Sequence, residues 1–238
     1  MNNIITSKIT ENFSILQRVD KFKFGTDAVL LSHFANIKAK NTVVDFCSGT
    51  GAVGYLSYLR HKQNKTIFVD IDGEMIELSK KTADLNNISE KFEFINSDIK
   101  DCGIPNNTID YITVNPPYFK LNSGKINANE NLVLSRHSYA FSIDDLFKTS
   151  YNILKDGGKI ALIYRTSYLC DIISAMRQAK IEPKRLRLVH SYKDKNSELF
   201  LIEGVKNAGI ELQALPPLIL HDENGMTDEF VEIENYGD

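Results

Sequence analysis

Cysteine is scarce in this 238-residue chain: Cys47, Cys102 and Cys170 lie far apart and form no CxxC pair. That spacing offers no disulfide framework and no thiolate metal site, and it favours a reducing compartment. Long apolar runs are missing too. No stretch is long enough to cross a bilayer, and the opening MNNIITSK lacks the apolar centre of a secretory signal. The expectation is a cytoplasmic protein with no membrane partner and no metal. An excess of one charge is also absent. The net charge of −3 argues against blanket non-specific binding to nucleic acid, while leaving room for a local basic patch. No internal repeat or low-complexity tract occurs. What is present is ordinary for a globular chain: 42% hydrophobic and 25% charged residues, enough for a sizeable core.

From residue 42 onward, short β-branched runs alternate with helical patterns. TVVDF, TIFVDI, KFEFIN, DYITV and KIALIY read as strands. GAVGYLSYLRHK, GEMIELSKKTADLNN and SIDDLFKTSYNILKDGG read as helices, the last with Ser142 as N-cap and Gly157 just past its end. Asp72 is placed to cap the second of them. Such alternation predicts βαβ units, a mostly parallel sheet and helices on both faces. RLRLVHSY and ELFLIEGVK then predict an antiparallel hairpin at the sheet edge. The expected fold is therefore a Rossmann-like α/β domain with a seven-stranded sheet over residues 42–238. Residues 1–41 form a capping segment of the same single domain, with a hairpin in FSILQRVDKFKF and a helix after Thr26 or Asp27.

The first strand runs into VVDFCSGTGAVG, which places Gly49, Gly51 and Gly54 at the G-x-G-x-x-G spacing. Asp70 follows about twenty residues later, at the end of the next strand, where a carboxylate can hold two ribose hydroxyls. A dinucleotide and S-adenosylmethionine both require this geometry. Asp45 separates them, because a carboxylate four residues before Gly49 repels a pyrophosphate but can pair with the amino group of a methionine moiety. Asp-x-x-x-Gly-x-Gly resembles the first motif of class I S-adenosylmethionine-dependent methyltransferases. Asp98, in INSDIKD, falls where that fold carries a group facing the adenine amino group, with capping of a turn as the alternative. Ile71 and Ile99, which follow Asp70 and Asp98, join the cofactor set. Cys47 reads as a loop filler.

The fourth strand ends abruptly in Asn115-Pro116-Pro117-Tyr118. An adenine N6 lone pair is delocalised into the ring and attacks poorly. If the Asn115 side-chain oxygen and the Pro116 carbonyl accept both N–H bonds, the nitrogen becomes pyramidal and regains its lone pair. Pro117 removes a competing donor, and Tyr118 offers a stacking face worth about 1–3 kcal/mol. The tetrapeptide resembles the (D/N/S)-P-P-(Y/F/W) signature of amino-group methyltransferases acting on adenine, guanine or a glutamine amide. Alone it leaves the substrate open.

Three further stretches, KFGTDAVLLSHFA, RHSYAFSIDDL and LIEGVKNAG…LPPLILHDENGMTDE, are similar to bacterial tRNA1(Val) adenine-N6-methyltransferases, which modify the adenosine 3′ of the anticodon. The resemblance implies S-adenosylmethionine as cofactor and tRNA as partner. It also implies that Phe24, Gly25 and Thr26 close over the cofactor's methionine end, and that Arg136 and His137 lie near the substrate mouth. Independently, residues 177–195 hold seven basic side chains against Glu182 and Asp194. From that stretch Lys184, Arg185, Arg187 and Lys193 are expected to contact phosphate, a solvated helix and edge strand being the alternative. Methylation of a glutamine amide in a translation factor is the competing enzymatic reading. A non-catalytic RNA-binding subunit and a dehydrogenase are weaker still, given the intact loop and elbow.

Overall fold

The computed structural model describes residues 4–18, 25–117 and 142–236. The strands β3 (Thr42–Phe46), β4 (Lys65–Asp70), β5 (Phe92–Asn96), β6 (Ile109–Val114) and β7 (Leu154–Arg165) are rich in β-branched and aromatic residues, and all but the outer β5 are buried along most of their length. They pair in parallel, in the order β5-β4-β3-β6-β7. Beyond β7 lies β9 (Leu199–Lys206), antiparallel both to β7 and to β8 (Ile181–Tyr192). These are the seven expected strands, with the antiparallel pair at the expected end.

That pair is not the margin of the sheet. β10 (Gln213–Ala214) and β11 (Leu218–Asp222) both run parallel to β8, and β12 (Gly225–Met226) turns back on β11. Among the described residues the sheet therefore has ten strands. A bare β8 would present a row of unpaired N–H and C=O groups, and the C-terminal segment covers them.

Alternation along each strand sorts the core into two layers. Val43, Tyr111 and Ala161 face one side, which is covered by α1 (Thr26–Phe34), α2 (Ala52–His61) and α3 (Gly73–Leu85). Val44, Phe46, Ile112 and Val114 face the other, under α4 (Ile143–Ile153) and α5 (Leu169–Gln178). The caps fall as the sequence predicts. The Asp72 carboxylate accepts from the Glu74 N–H at 3.0 Å, and the Ser142 hydroxyl accepts from the Asp145 N–H at 3.2 Å. The end of α4 does not. Leu154, fully buried, is already extended at φ −65° and ψ 139° and opens β7, so the helix stops before Gly157.

The expected N-terminal hairpin is described only in part, since residues 19–24 lie outside the described residues. FSILQR forms β2 (Phe13–Arg18), which pairs antiparallel with the upstream β1 (Ile4–Thr10). β1 is only half-buried and full of Ser, Thr and Lys, so its alternation is faint in sequence. α3 clamps β2, with Ser14 N–H donating to Asn86 Oδ1 at 3.0 Å and Leu16 N–H donating to Thr82 Oγ1 at 3.1 Å. At the other terminus α6 (Asp228–Glu234) packs back on α2, where the Arg60 guanidinium donates to the Ile233 carbonyl and lies 4.3 Å from the Tyr236 ring centroid. Among the described residues no helix is long and apolar enough to cross a membrane.

Candidate active site

Because β3, β4, β5 and β6 are parallel, their carboxyl ends lie along one edge of the sheet. That edge gathers Asp45 and the glycine loop, Asp70, Asp98 and Asn115. An open parallel sheet binds ligands in this crevice.

The loop after β3 is drawn over the end of β4. Gly49 N–H donates to Asp70 Oδ2 at 2.7 Å, and Ser48 N–H donates to the Val69 carbonyl at 3.2 Å. Gly49 adopts φ +53°, and a Cβ added there would meet nothing within 4 Å, so its backbone borders open space. Gly54 serves a different purpose. A Cβ on it would fall 2.2 Å from the Phe68 ring, so the third glycine lets α2 press on β4.

Asp70 also accepts from the Asp72 N–H at 2.8 Å, and its burial raises its pKa against these two hydrogen bonds. A carboxylate has about four acceptor positions, so lone pairs remain for ligand hydroxyls. Ile71 beside it stays 39% exposed, an apolar surface at the crevice. Asn96, which sequence reasoning missed, donates to the carbonyls of Asp70 and Ile71 at 3.0 and 2.9 Å and holds this turn. Its place two residues before Asp98 is the signal that could have found it.

Asp98 takes the capping role. Its Oδ1 accepts from the Lys100 N–H at 3.0 Å at the head of a 3-10 turn, and Oδ2 lies 3.6 Å from Lys100 Nζ. Ile99 turns its side chain into the core, which leaves its backbone for any ligand. Gly25 and Thr26 stand at the start of α1. Phe24, Tyr118, Arg136 and His137 lie outside the described residues.

Asp45 is only 1% exposed, and both its oxygens are engaged beneath the loop. Oδ2 accepts from the Gly54 N–H at 3.1 Å, and Oδ1 accepts from the Thr113 hydroxyl at 2.7 Å. Burial pushes its pKa up to about 7, the two hydrogen bonds opposing and the Asp70 charge adding to the rise. In this arrangement Asp45 acts as the keel of the loop, and each of its oxygens keeps an acceptor position beyond these two hydrogen bonds. The Cys47 thiol is likewise pushed up, by burial and then by Asp70 and Asp45, and stays protonated as a filler should.

The elbow leaves β6 directly beside this group. Val114 registers with Phe46, so Asn115 emerges level with the start of the loop. Its side chain is half-buried and makes no hydrogen bond to a described residue; Pro116 is buried and Pro117 exposed. A loop with open backbone, a ribose-competent carboxylate, an apolar face and a free amide suit S-adenosylmethionine. Among the described residues no cluster of His, Cys, Asp and Glu could hold a metal.

The basic stretch does not form a free patch. Arg185 donates to the Phe34 carbonyl at 3.2 Å, lies 4.5 Å from the Phe34 ring centroid and sits 3.5 Å from the buried Glu203. Arg187 donates to the Pro216 carbonyl at 3.0 Å and to Glu229 at 2.6 Å. Arg177 pairs with Glu182. Alternation on β8 turns Arg185 and Arg187 toward α1 and the C-terminal segment, where both are partnered within the fold. Lys184 donates to the Gly209 carbonyl at 3.2 Å from a half-buried position, and Lys193 is exposed.

Residues 13–179 match the methyltransferase small domain model, which is more than half of the chain. A Flavobacteriaceae protein named tRNA1(Val) (adenine(37)-N6)-methyltransferase is 25% identical over 81% of this chain and 88% of its own length. One of the same name from Aliivibrio salmonicida is 24% identical over 89% of this chain and 88% of its own. Among solved structures, a predicted O-methyltransferase from Agrobacterium tumefaciens superposes with a TM-score of 0.72 at 21% identity, over 88% of this chain and 96% of its own. A geranyl diphosphate methyltransferase in complex with SAM gives 0.54 at 14% identity, over 75% and 84%, and these likenesses establish the fold. With its glycine loop, acidic strand ends and Asn-Pro-Pro elbow along one sheet edge, the chain belongs to the methyltransferase small domain family.

Proposed function

We propose that this chain methylates the N6 amino group of an adenosine in tRNA, using S-adenosylmethionine, and that the target is adenosine 37 of tRNA1(Val), as the names of its relatives suggest. The observation that carries the reading is the uncommitted amide of Asn115, delivered by β6 to the mouth of the glycine loop.

Bound in that crevice, S-adenosylmethionine supplies an electrophilic methyl on a sulfonium. The chain's own residues then do three things. Asp70 accepts from ribose hydroxyls, Ile71 and Asp98 with the Ile99 backbone border the adenine, and Phe24, Gly25 and Thr26 close the methionine end. Asn115 Oδ1 and the Pro116 carbonyl accept the two N–H bonds of the target amino group, which localises the nitrogen lone pair along the line of attack. Tyr118 stacks on the base and Pro117 stiffens the turn. The displaced proton leaves to water, so no side chain is assigned as base. Lys184 and Lys193, with Arg136 and His137, contact the RNA backbone, which positions the tRNA without choosing the base.

The deciding experiment incubates the protein with tritiated S-adenosylmethionine and unmodified bulk tRNA, followed by nucleoside analysis. N6-methyladenosine is the expected product. Label in protein would support the glutamine-amide reading, and label on guanine would reject adenine as the target.

A further inference from the structure

Thr113 is a fully buried hydroxyl that neither the glycine loop nor the elbow motif includes. It registers directly across from Asp45, in the strand pair that joins β3 to β6, and its Oγ donates to Asp45 Oδ1 at 2.7 Å. The other Asp45 oxygen holds the Gly54 N–H, inside the first turn of α2. Two residues after Thr113 comes Asn115. The strand period of two puts Thr113 and Asn115 on the same face, with Val114 turned into the opposite core layer.

We propose that Thr113 is a positioning residue for the transfer reaction: through Asp45 it ties the cofactor loop to the strand that carries Asn115, so that loading the loop and aligning the elbow depend on one buried hydrogen-bond chain. The inference rests on the cofactor reading above.

The chemistry of the link is directional. A hydroxyl that donates to a carboxylate favours its charged form. Asp45 lies in a strongly desolvating site. Asp70 at the end of β4 faces it and opposes its ionisation. Cys47 on the loop is neutral, and the charge of Asp98, beyond the end of β5, bears on Cys47. One pleat further down the same face, the Tyr111 hydroxyl donates to Glu203, which pairs with Lys159 and Arg185. No cation among these groups faces Asp45, so Thr113 and the Gly54 N–H are what hold its charge in place. A cationic ligand above the loop is attracted by that charge, and Thr113 keeps it available near neutral pH.

The test compares wild type, Thr113→Val and Thr113→Ser by calorimetry with S-adenosylmethionine between about pH 6 and about pH 8.5, and by steady-state tRNA methylation. Loss of a hydrogen bond to a charged group is expected to weaken cofactor binding roughly tenfold for Thr113→Val at neutral pH. The pH at which affinity reaches half its maximum should move upward, so that the gap to wild type narrows toward the alkaline end. The ligand's own titration is common to all three proteins and cancels in the comparison. Thr113→Ser should restore both affinity and midpoint, and kcat should follow the same order. A uniform loss with an unchanged midpoint would mean packing alone and would overturn the proposal, as would a serine variant that behaves like valine. A wild type that binds the cofactor but leaves tRNA unlabelled would sink the functional reading instead, and the calorimetric comparison would still decide the coupling.

Discussion

Asn115 and Asp45 make opposite demands on the protein, and each demand can be measured. In the proposed reaction Asn115 contributes one preorganised oxygen. Its replacement by alanine should lower kcat by roughly 10²–10³ with little change in cofactor affinity. Single-turnover rates beside calorimetry would check this, and a near-normal rate would make the elbow a mere strand terminator. Asp45 bears on stability as well. Its carboxyl has a pKa of about 7 in the folded chain against an ordinary 3.8. The folded state therefore holds this proton more tightly than the unfolded one. The resulting stability is complete below about pH 3.8, falls through the interval above it, and is gone once the pH passes about 7. Asp45→Asn removes the buried charge, so the ligand-free variant should melt several degrees higher than wild type at pH 8 and equally or lower at pH 4, by calorimetric scanning. The same variant should bind S-adenosylmethionine more than tenfold worse. Equal melting temperatures at pH 8 would show that the charge is well solvated after all.

At the scale of elements, α2 is the part most finely placed. Tyr55 on its second turn donates to the Ser79 carbonyl at 2.6 Å and packs against Phe92 with ring centroids 5.0 Å apart. Gly54 lets it lie flat on Phe68. Gly54→Ala should gain helix propensity yet destabilise the protein by about 1–3 kcal/mol through overpacking, and it should weaken cofactor binding because the Gly54 N–H moves away from Asp45. Chemical denaturation would read the first effect. Phe68→Leu in the same chain should recover part of it, and strict additivity of the two changes would refute the contact as its cause. The alternation of β-branched runs with amphipathic runs makes α2 and its flanking strands legible in the residues alone, and the caps at Asp72 and Ser142 are equally readable. What pattern alone cannot supply is the partner across a strand pair. Thr113 looks like any β-branched strand residue until the β3–β6 register puts it opposite Asp45. Asp45 is visible as an acid at a strand end, but a desolvated position beneath the loop follows only from how α2 closes over it. β1 is obscured by its Ser, Thr and Lys content.

For the whole molecule, the basic residues of β8 illustrate how charge counted along a chain misleads. Arg185 and Arg187 sit in the densest basic run, yet each spends its charge on a distant partner, Glu203 or Glu229. Arg187→Ala should therefore lower stability by about 1 kcal/mol or less, since Glu229 is half exposed, and should leave the salt dependence of tRNA binding unchanged. Lys193→Ala should do the reverse: unchanged stability, and a slope of log affinity against log salt shallower by about one. Filter binding across a salt series separates the two, and a slope change with Arg187 would place it in the RNA contact.

The C-terminal segment that covers β8 has a consequence for how the chain is made. Residues 213–226 supply β10, β11 and β12, and they follow every other strand in the sequence. While the polypeptide emerges from the ribosome, β8 and β9 can already zip onto β7, but the outer side of β8 stays bare until residues 213–226 have followed. A nascent or prematurely terminated chain thus displays an unpaired, twelve-residue strand to its neighbours. Chains stalled between Lys206 and Asp222 are the ones that chaperones would have to shield.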